Sequence, residues 1–158
     1  MYNVQKIGLF NFSGQIKISK ILYFCGKDMA QKYDLHHWDN SYLKNMLIIL
    51  LCELRNVVYL VTDKENNSVA TFQVRMKHTD LHLEKLATLP KFSGSGIGSF
   101  CIEFIENLAK QYGCKKICLD VYSLSKQAIG FYEHKGYSFC GNATTLKYSI
   151  VRMEKILE

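Results

Sequence analysis

The chain has very little proline and no long apolar segment. One proline and one tryptophan occur among 158 residues, although 48% of the residues are apolar. The longest unbroken apolar run, residues 46–52, is much shorter than the roughly 20 residues of a membrane-spanning helix. No basic start followed by an apolar stretch opens the chain, so the sequence predicts no signal peptide. We therefore expect residues 1–158 to form one globular domain without membrane contact, in the cytoplasm.

The charges are spread along the chain rather than concentrated. The net charge is +6, from 20 basic and 14 acidic residues, and no basic cluster is denser than Lys115-Lys116. Nucleic-acid binding requires a concentrated basic stripe, so the sequence argues against that function. A diffuse positive excess instead attracts small polyanionic ligands weakly.

The six cysteines are predicted to be reduced thiols. Cys25, Cys52 and Cys101 lie within helix-like apolar patterns, where a free cysteine packs as a small apolar side chain. Cys114 and Cys118 have the spacing C-x3-C without a matching second pair. A structural zinc site usually takes four ligands in two such pairs, so we predict no metal.

The periodicity of apolar residues predicts a mixed α+β fold. Helical spacing predicts helices over residues 16–33, 43–54, 97–112 and 126–135. Alternating or β-branched runs predict strands over residues 4–10, 57–62, 69–77, 81–88, 117–122, 137–139 and 147–156. The predicted order is β-α-α-β-β-β-α-β-α-β-β.

A glycine-rich segment separates the fourth predicted strand from the third predicted helix. This glycine loop, residues 93–99, has the sequence SGSGIGS. Glycines let a ligand approach the backbone closely, and a helix N-terminus offers unpaired amides at a positive dipole end. The spacing lacks the third glycine of a dinucleotide fingerprint and the G-K-[ST] of a Walker A loop. The loop therefore predicts binding of a phosphate-bearing ligand of another class.

Two further segments have motif-like sequences: residues 86–99 read LATLPKFSGSGIGS, and residues 125–137 read SKQAIGFYEHKGY. They resemble motif A and motif B, respectively, of the GNAT superfamily of acetyl-CoA-dependent N-acetyltransferases. Ser93 and Ser125 stand where the family usually has Arg or Gln and Asn, respectively. The resemblance implies an α+β fold with a twisted, mostly antiparallel central sheet of six to seven strands. About four helices would flank this sheet, and splayed central strands would hold the cofactor.

The resemblance also implies acetyl-CoA as cosubstrate. The pantetheine arm would pair with the backbone of Leu86, Ala87 and Thr88, as an added strand does. The pyrophosphate would lie on the glycine loop, whose implied cofactor-binding residues are Ser93, Gly94, Ser95, Gly96, Ile97, Gly98 and Ser99. Ser125, Ala128 and Phe131 would line the thiol end.

Tyr132 matches the tyrosine that acts as general acid in the family. Its phenol is protonated at neutral pH and can donate to the departing thiolate. The proton acceptor stays open between His82, whose ordinary pKa suits the role, Glu84, which would act through a water, and solvent. Both side chains project from one face of the strand before motif A, and of the two we favour Glu84.

The amine acceptor is the least determined part of the prediction. Tyr33, His37 and Trp38 lie in or beside the connection that shapes the acceptor pocket in the family, and an aromatic wall suits an amine cation. We expect a primary amine of a small molecule or peptide as acceptor. The alternative is a GNAT-like module that holds acetyl-CoA as a sensor without transferring it. The oligomeric state, a homodimer included, stays open.

Overall fold

The computed structural model describes residues 1–36, 39, 41–145 and 148–158. The order of helices and strands along these residues confirms the predicted order. The elements are β1 (Asn3–Ile7), α1 (Phe12–Tyr33), α2 (Tyr42–Glu53), β2 (Val57–Thr62), β3 (Ser68–Lys77), β4 (Asp80–Thr88), a single 3-10 turn (Pro90–Phe92), α3 (Ile97–Gln111), β5 (Lys116–Tyr122), α4 (Lys126–His134), β6 (Ser138–Thr144) and β7 (Ser149–Ile156).

The strands form one sheet in the order β1-β2-β3-β4-β5-β7-β6. The pairs β1/β2, β2/β3, β5/β7 and β6/β7 are antiparallel, whereas β4 and β5 are parallel. The predicted α+β class with a mostly antiparallel sheet is therefore confirmed. A parallel pair needs a long crossover, and here α3 provides it between β4 and β5.

The chain divides into two compact units. The first unit comprises Met1–Val74 and Lys85–Gly98. Its core is built from apolar side chains of β1, α1, α2 and β2, which include Ile7, Ile18, Ile21, Ile49 and Leu60. The buried amide of Gln15 donates to the Glu53 carboxylate at 2.9 Å and so links the start of α1 to the end of α2.

The second unit comprises Arg75–Glu84 and Ser99–Glu158. The buried side chains Cys101, Ile105 and Ala109 recur every four residues along α3, which is the spacing of one helix face. β7 pairs with both β5 and β6. Lys155 Nζ of β7 donates to Glu106 Oε1 of α3 at 2.8 Å and to the Lys135 carbonyl after α4 at 2.9 Å. These bonds tie β7 to both helices of the unit.

Several predicted boundaries are set by local capping. Ser41 accepts from the Lys44 amide at 3.2 Å and so begins α2 as expected for an N-cap. α1 begins at Phe12, earlier than predicted, because the Asn11 side chain accepts from the Gly14 amide. Gly113, at φ +67°, follows α3 as predicted.

All six cysteines carry free thiols. No helix in the described residues is long and apolar enough to cross a membrane.

Candidate active site

Only the first part of β4 lies in register with β5. Its register with β5 pairs Asp80 with Lys116 and ends where Leu83 pairs with Leu119. β4 itself continues to Thr88, so residues 84–88 extend beyond this parallel register. The predicted pantetheine partners Leu86, Ala87 and Thr88 lie in this extension and are half-buried. Backbone that is not taken by a neighbouring strand is what an extended ligand needs for strand addition.

The glycine loop turns sharply before α3. Gly94 and Gly96 have φ values of +77° and +84°, in the left-handed region that side chains other than glycine rarely adopt. A Cβ built on either glycine would meet no atom within 4 Å, so the loop backbone borders open space. α3 begins at Ile97, and the first-turn amides of a helix lack carbonyl partners four residues back. These features suit an anion.

The serines of the loop stabilise its turn. The Ser95 hydroxyl and amide both donate to the Phe92 carbonyl, and the Ser93 amide donates to the Pro90 carbonyl at 3.0 Å. Ser95 therefore uses its side chain within the loop. Gly98 and Ser99 belong to the first turn of α3, so the predicted loop ends inside the helix.

α4 carries the motif B side chains. Ser125 occupies the N-cap position but makes no side-chain capping bond. Its hydroxyl is therefore not used by the end of the helix. Ala128 and Tyr132 are four residues apart and share a helix face. The Phe131 ring meets the Tyr132 ring edge-on, with centroids 5.2 Å apart.

Tyr132 stands in apolar surroundings. Burial raises the pKa of its phenol above the ordinary value, and the nearby Cys101 thiol adds to the rise. The phenol therefore stays protonated over the whole physiological range and is available as a hydrogen-bond donor. The Tyr137 ring lies 5.7 Å from it, and the buried Tyr137 hydroxyl has no hydrogen-bond partner among the described residues.

The two candidate bases have different neighbours. Glu84 Oε1 lies 2.7 Å from Arg75 Nη2, so the carboxylate is held in an ion pair. His82 is half-buried on β4, and burial lowers the pKa of its imidazole. Its cross-strand partner in the parallel register is Cys118. His82 is therefore neutral at physiological pH and faces a thiol, whereas Glu84 faces a cation.

The match to known families decides the identity. The profile of the Acetyltransferase (GNAT) family matches residues 24–137. The chain belongs to the GNAT family. The matched residues include the glycine loop, α3 and all of α4.

A curated relative of this GNAT chain is distant in sequence. It is 25% identical over 116 residues to the "Probable N-acetyltransferase 14" of Xenopus tropicalis. The match covers 73% of this chain and 56% of that protein, so the chain spans little more than half the length of this relative.

Solved structures share the fold over nearly the whole chain. The PaiA N-acetyltransferase of Thermoplasma acidophilum, crystallised with coenzyme A, has a TM-score of 0.76 at 14% identity over 99% of both chains. The aminoglycoside 6'-acetyltransferase type Ii has a TM-score of 0.74 at 15% identity, over 98% of this chain and 96% of that one. At these identities the matches establish the fold.

Of the three predicted acceptor residues of this GNAT chain, only Tyr33 is among the described residues. Tyr33 is the last residue of α1, and Asp34 follows in the left-handed conformation. His37 and Trp38 lie outside the described residues. His36, which is not among the predicted acceptor residues, contacts Asp39 at 2.7 Å and Asp34 at 3.0 Å. Hydrogen bonds to Asp39 and then Asp34 raise the pKa of His36. The acidic residues two positions before and three positions after His36 are the sequence feature that could have predicted these contacts.

Proposed function

We propose that this GNAT chain transfers the acetyl group of acetyl-CoA to a primary amine of a small molecule or peptide. The observation that carries the proposal is the glycine loop. Its two left-handed glycines precede the N-terminus of α3 within the residues that match the family. Backbone amides at such a turn bind phosphate oxygens without a basic side chain, which compensates for the short Ser93.

The pantetheine arm would extend along the last residues of β4. Leu86, Ala87 and Thr88 offer an extended backbone beyond the register with β5. The Thr88 carbonyl already accepts from the Cys25 Sγ at 3.2 Å, and a carbonyl oxygen has a second lone pair for a ligand. Ser125, whose hydroxyl does not cap α4, would meet the thiol end together with Ala128 and Phe131.

The reaction requires that one proton be removed from the amine and that one be supplied to the departing thiolate. The neutral amine attacks the thioester carbonyl and forms the new C–N bond, and the C–S bond of the tetrahedral intermediate then breaks. The amine's proton passes through a water to Glu84, which we favour as base over His82 because Arg75 Nη2, 2.7 Å away, holds its carboxylate in position. Tyr132 donates to the departing thiolate, since its phenol is protonated at working pH.

The experiment that tests this function mixes the protein with acetyl-CoA and a panel of amines and peptides. Free thiol is followed over time, and acetylated products are identified by mass spectrometry. Thiol release that depends on an acceptor, with a product heavier by one acetyl group, supports the transferase. Saturable acetyl-CoA binding without turnover for any acceptor selects the binding module instead. A Gly96→Glu variant serves as the control without a functional loop.

A further inference from the structure

Three side chains of the second unit form a compact cluster on one face of the sheet. Asp80 and His82 come from β4 and Cys118 from β5, and one ligating atom of each lies within 4.8 Å of the others. The arrangement follows from strand geometry. Residues two apart on β4 point to the same face, and the parallel register pairs Cys118 with His82. All three side chains are half-buried.

We propose that Asp80, His82 and Cys118 bind a divalent transition metal, with zinc as the preferred ion. A carboxylate, an imidazole and a thiolate are the three ligand types that zinc takes in proteins. The thiolate and imidazole disfavour magnesium and calcium, which prefer oxygen ligands. Three protein ligands leave the fourth tetrahedral position to a water.

The distances fit a site that closes around the ion. With metal–ligand bonds of about 2.0–2.3 Å, tetrahedral ligand atoms lie about 3.3–3.8 Å apart. The cluster spans up to 4.8 Å, so side-chain rotations that draw the atoms about 1 Å closer suffice. The backbone positions are fixed by the β4/β5 register, so closure needs no movement of the sheet.

The charges around the cluster are compatible with a cation. Lys116 Nζ lies 3.9 Å from Asp80 but only 2.8 Å from Glu154, so Lys116 keeps a carboxylate partner when Asp80 turns to the metal. Glu84, on the same face of β4, is neutralised by Arg75. Binding converts the Cys118 thiol to a thiolate, with its proton released to solvent.

The cluster differs from a zinc site built on pairs of cysteines close in sequence. Its ligands come from two strands joined by α3, and 36 positions separate His82 from Cys118. The proposal does not rest on acetyl transfer. A metal on His82 would remove that imidazole from the candidates for the catalytic base and leave Glu84.

Cobalt titration of the chelator-treated protein tests the site by spectroscopy rather than by turnover. We expect one equivalent of Co²⁺ to produce a thiolate-to-cobalt charge-transfer band and tetrahedral d–d bands, and Zn²⁺ to displace it. Cys118→Ser should remove the charge-transfer band. It should also weaken binding by more than the roughly 10–100-fold that loss of an outer partner costs. Asp80→Asn and His82→Asn, each checked for folding by circular dichroism, should weaken binding likewise.

Cys52→Ser is the matched control, because Cys52 is a half-buried free thiol in the first unit. It should leave the cobalt spectrum unchanged. Zinc should also slow alkylation of Cys118, mapped by mass spectrometry, without slowing that of Cys52. Absence of saturable cobalt binding at micromolar concentrations would overturn the proposal. So would a charge-transfer band that survives in Cys118→Ser.

Discussion

Arg75 Nη2 and Glu84 Oε1 form an ion pair of 2.7 Å between neighbouring strands. Both side chains are partly exposed, and an ion pair of this kind contributes only about 0–1 kcal/mol to stability. The ion pair therefore matters more for the proposed proton transfer than for stability. Arg75 holds in place the carboxylate that we propose as the proton acceptor.

Glu84→Gln and Arg75→Gln separate the base from the ion pair, because each breaks the pair and only the first removes the carboxylate. We expect Glu84→Gln to lower kcat/KM by about 10²–10⁴, the usual value of general base help. Arg75→Gln should cost about fivefold or less, in line with a surface ion pair. Steady-state kinetics with a saturating acceptor measures both. Equal losses would assign a structural role to the pair, and no loss in either would leave solvent as the base.

Gly96→Glu should abolish coenzyme A binding, because it places a carboxylate where the phosphates would lie and forces a side chain into φ +84°. Gly113→Glu carries the same strain at φ +67° in a turn after α3. Each should lose about 1–2 kcal/mol in free energy of unfolding, while only Gly96→Glu loses binding. Calorimetric titration with coenzyme A compares the two. Unchanged affinity in a folded Gly96→Glu variant would move the site elsewhere.

Tyr132→Phe should lower kcat by about 10²–10⁴ with little change in acetyl-CoA affinity, because the ring stays and only the proton donor is lost. Tyr137→Phe removes the neighbouring hydroxyl, 5.7 Å away ring to ring, and should leave kcat within about twofold. Stopped-flow thiol release and binding titration supply the two readouts. A loss of affinity at constant kcat would make Tyr132 a binding residue instead.

Tyr137→Phe should also raise the free energy of unfolding by about 1 kcal/mol. The Tyr137 hydroxyl is buried without a hydrogen-bond partner among the described residues, and such a group carries its full desolvation cost. The ring keeps its contact with Lys155 Nζ, 5.7 Å from its centroid. Urea denaturation with unchanged m-value measures the difference. A decrease in stability would show that the hydroxyl has a partner in solution.

The rate should rise with pH and show no alkaline decline up to about pH 10. The rise reflects the acceptor amine, whose ordinary pKa is about 10.4 for an alkyl amine. Because burial raises the pKa of Tyr132, the phenol keeps its proton above the pH at which an ordinary tyrosine loses it. The profile of kcat/KM in overlapping buffers provides the check. A descending limb between pH 8 and 10 would contradict a buried general acid.

The sequence predicted elements whose pattern is local. β2 has its predicted bounds because a β-branched run stands between turn-forming segments. β6 was predicted over residues 137–139 but is Ser138–Thr144. Its register shifts between Phe139 and Gly141, and a bulge of this kind breaks the alternation that marks a strand.

The residues of the candidate site also fall into two groups, those that depend on local sequence and those whose partners are distant along the chain. The glycine loop and the face of α4 depend on residues close in sequence, so spacing predicted them. The partners of Glu84 and His82 depend on strand register. Arg75 meets Glu84 across a hairpin, and Cys118 meets His82 only after α3 has returned the chain to the sheet. The register between strands that are far apart along the chain is difficult to predict from a single sequence.

The position of β7 bears on how the chain is made. β7 follows β6 along the chain and is therefore synthesised after it, yet it stands between β5 and β6 and bonds to both. A nascent chain that has emerged only as far as β6 holds two strands that lack their common neighbour, and Lys155 has not yet reached Glu106. Synthesis proceeds at about 5–20 residues per second. The second unit therefore cannot complete its strand pairing until β7 has been made, whereas most of the first unit can already fold.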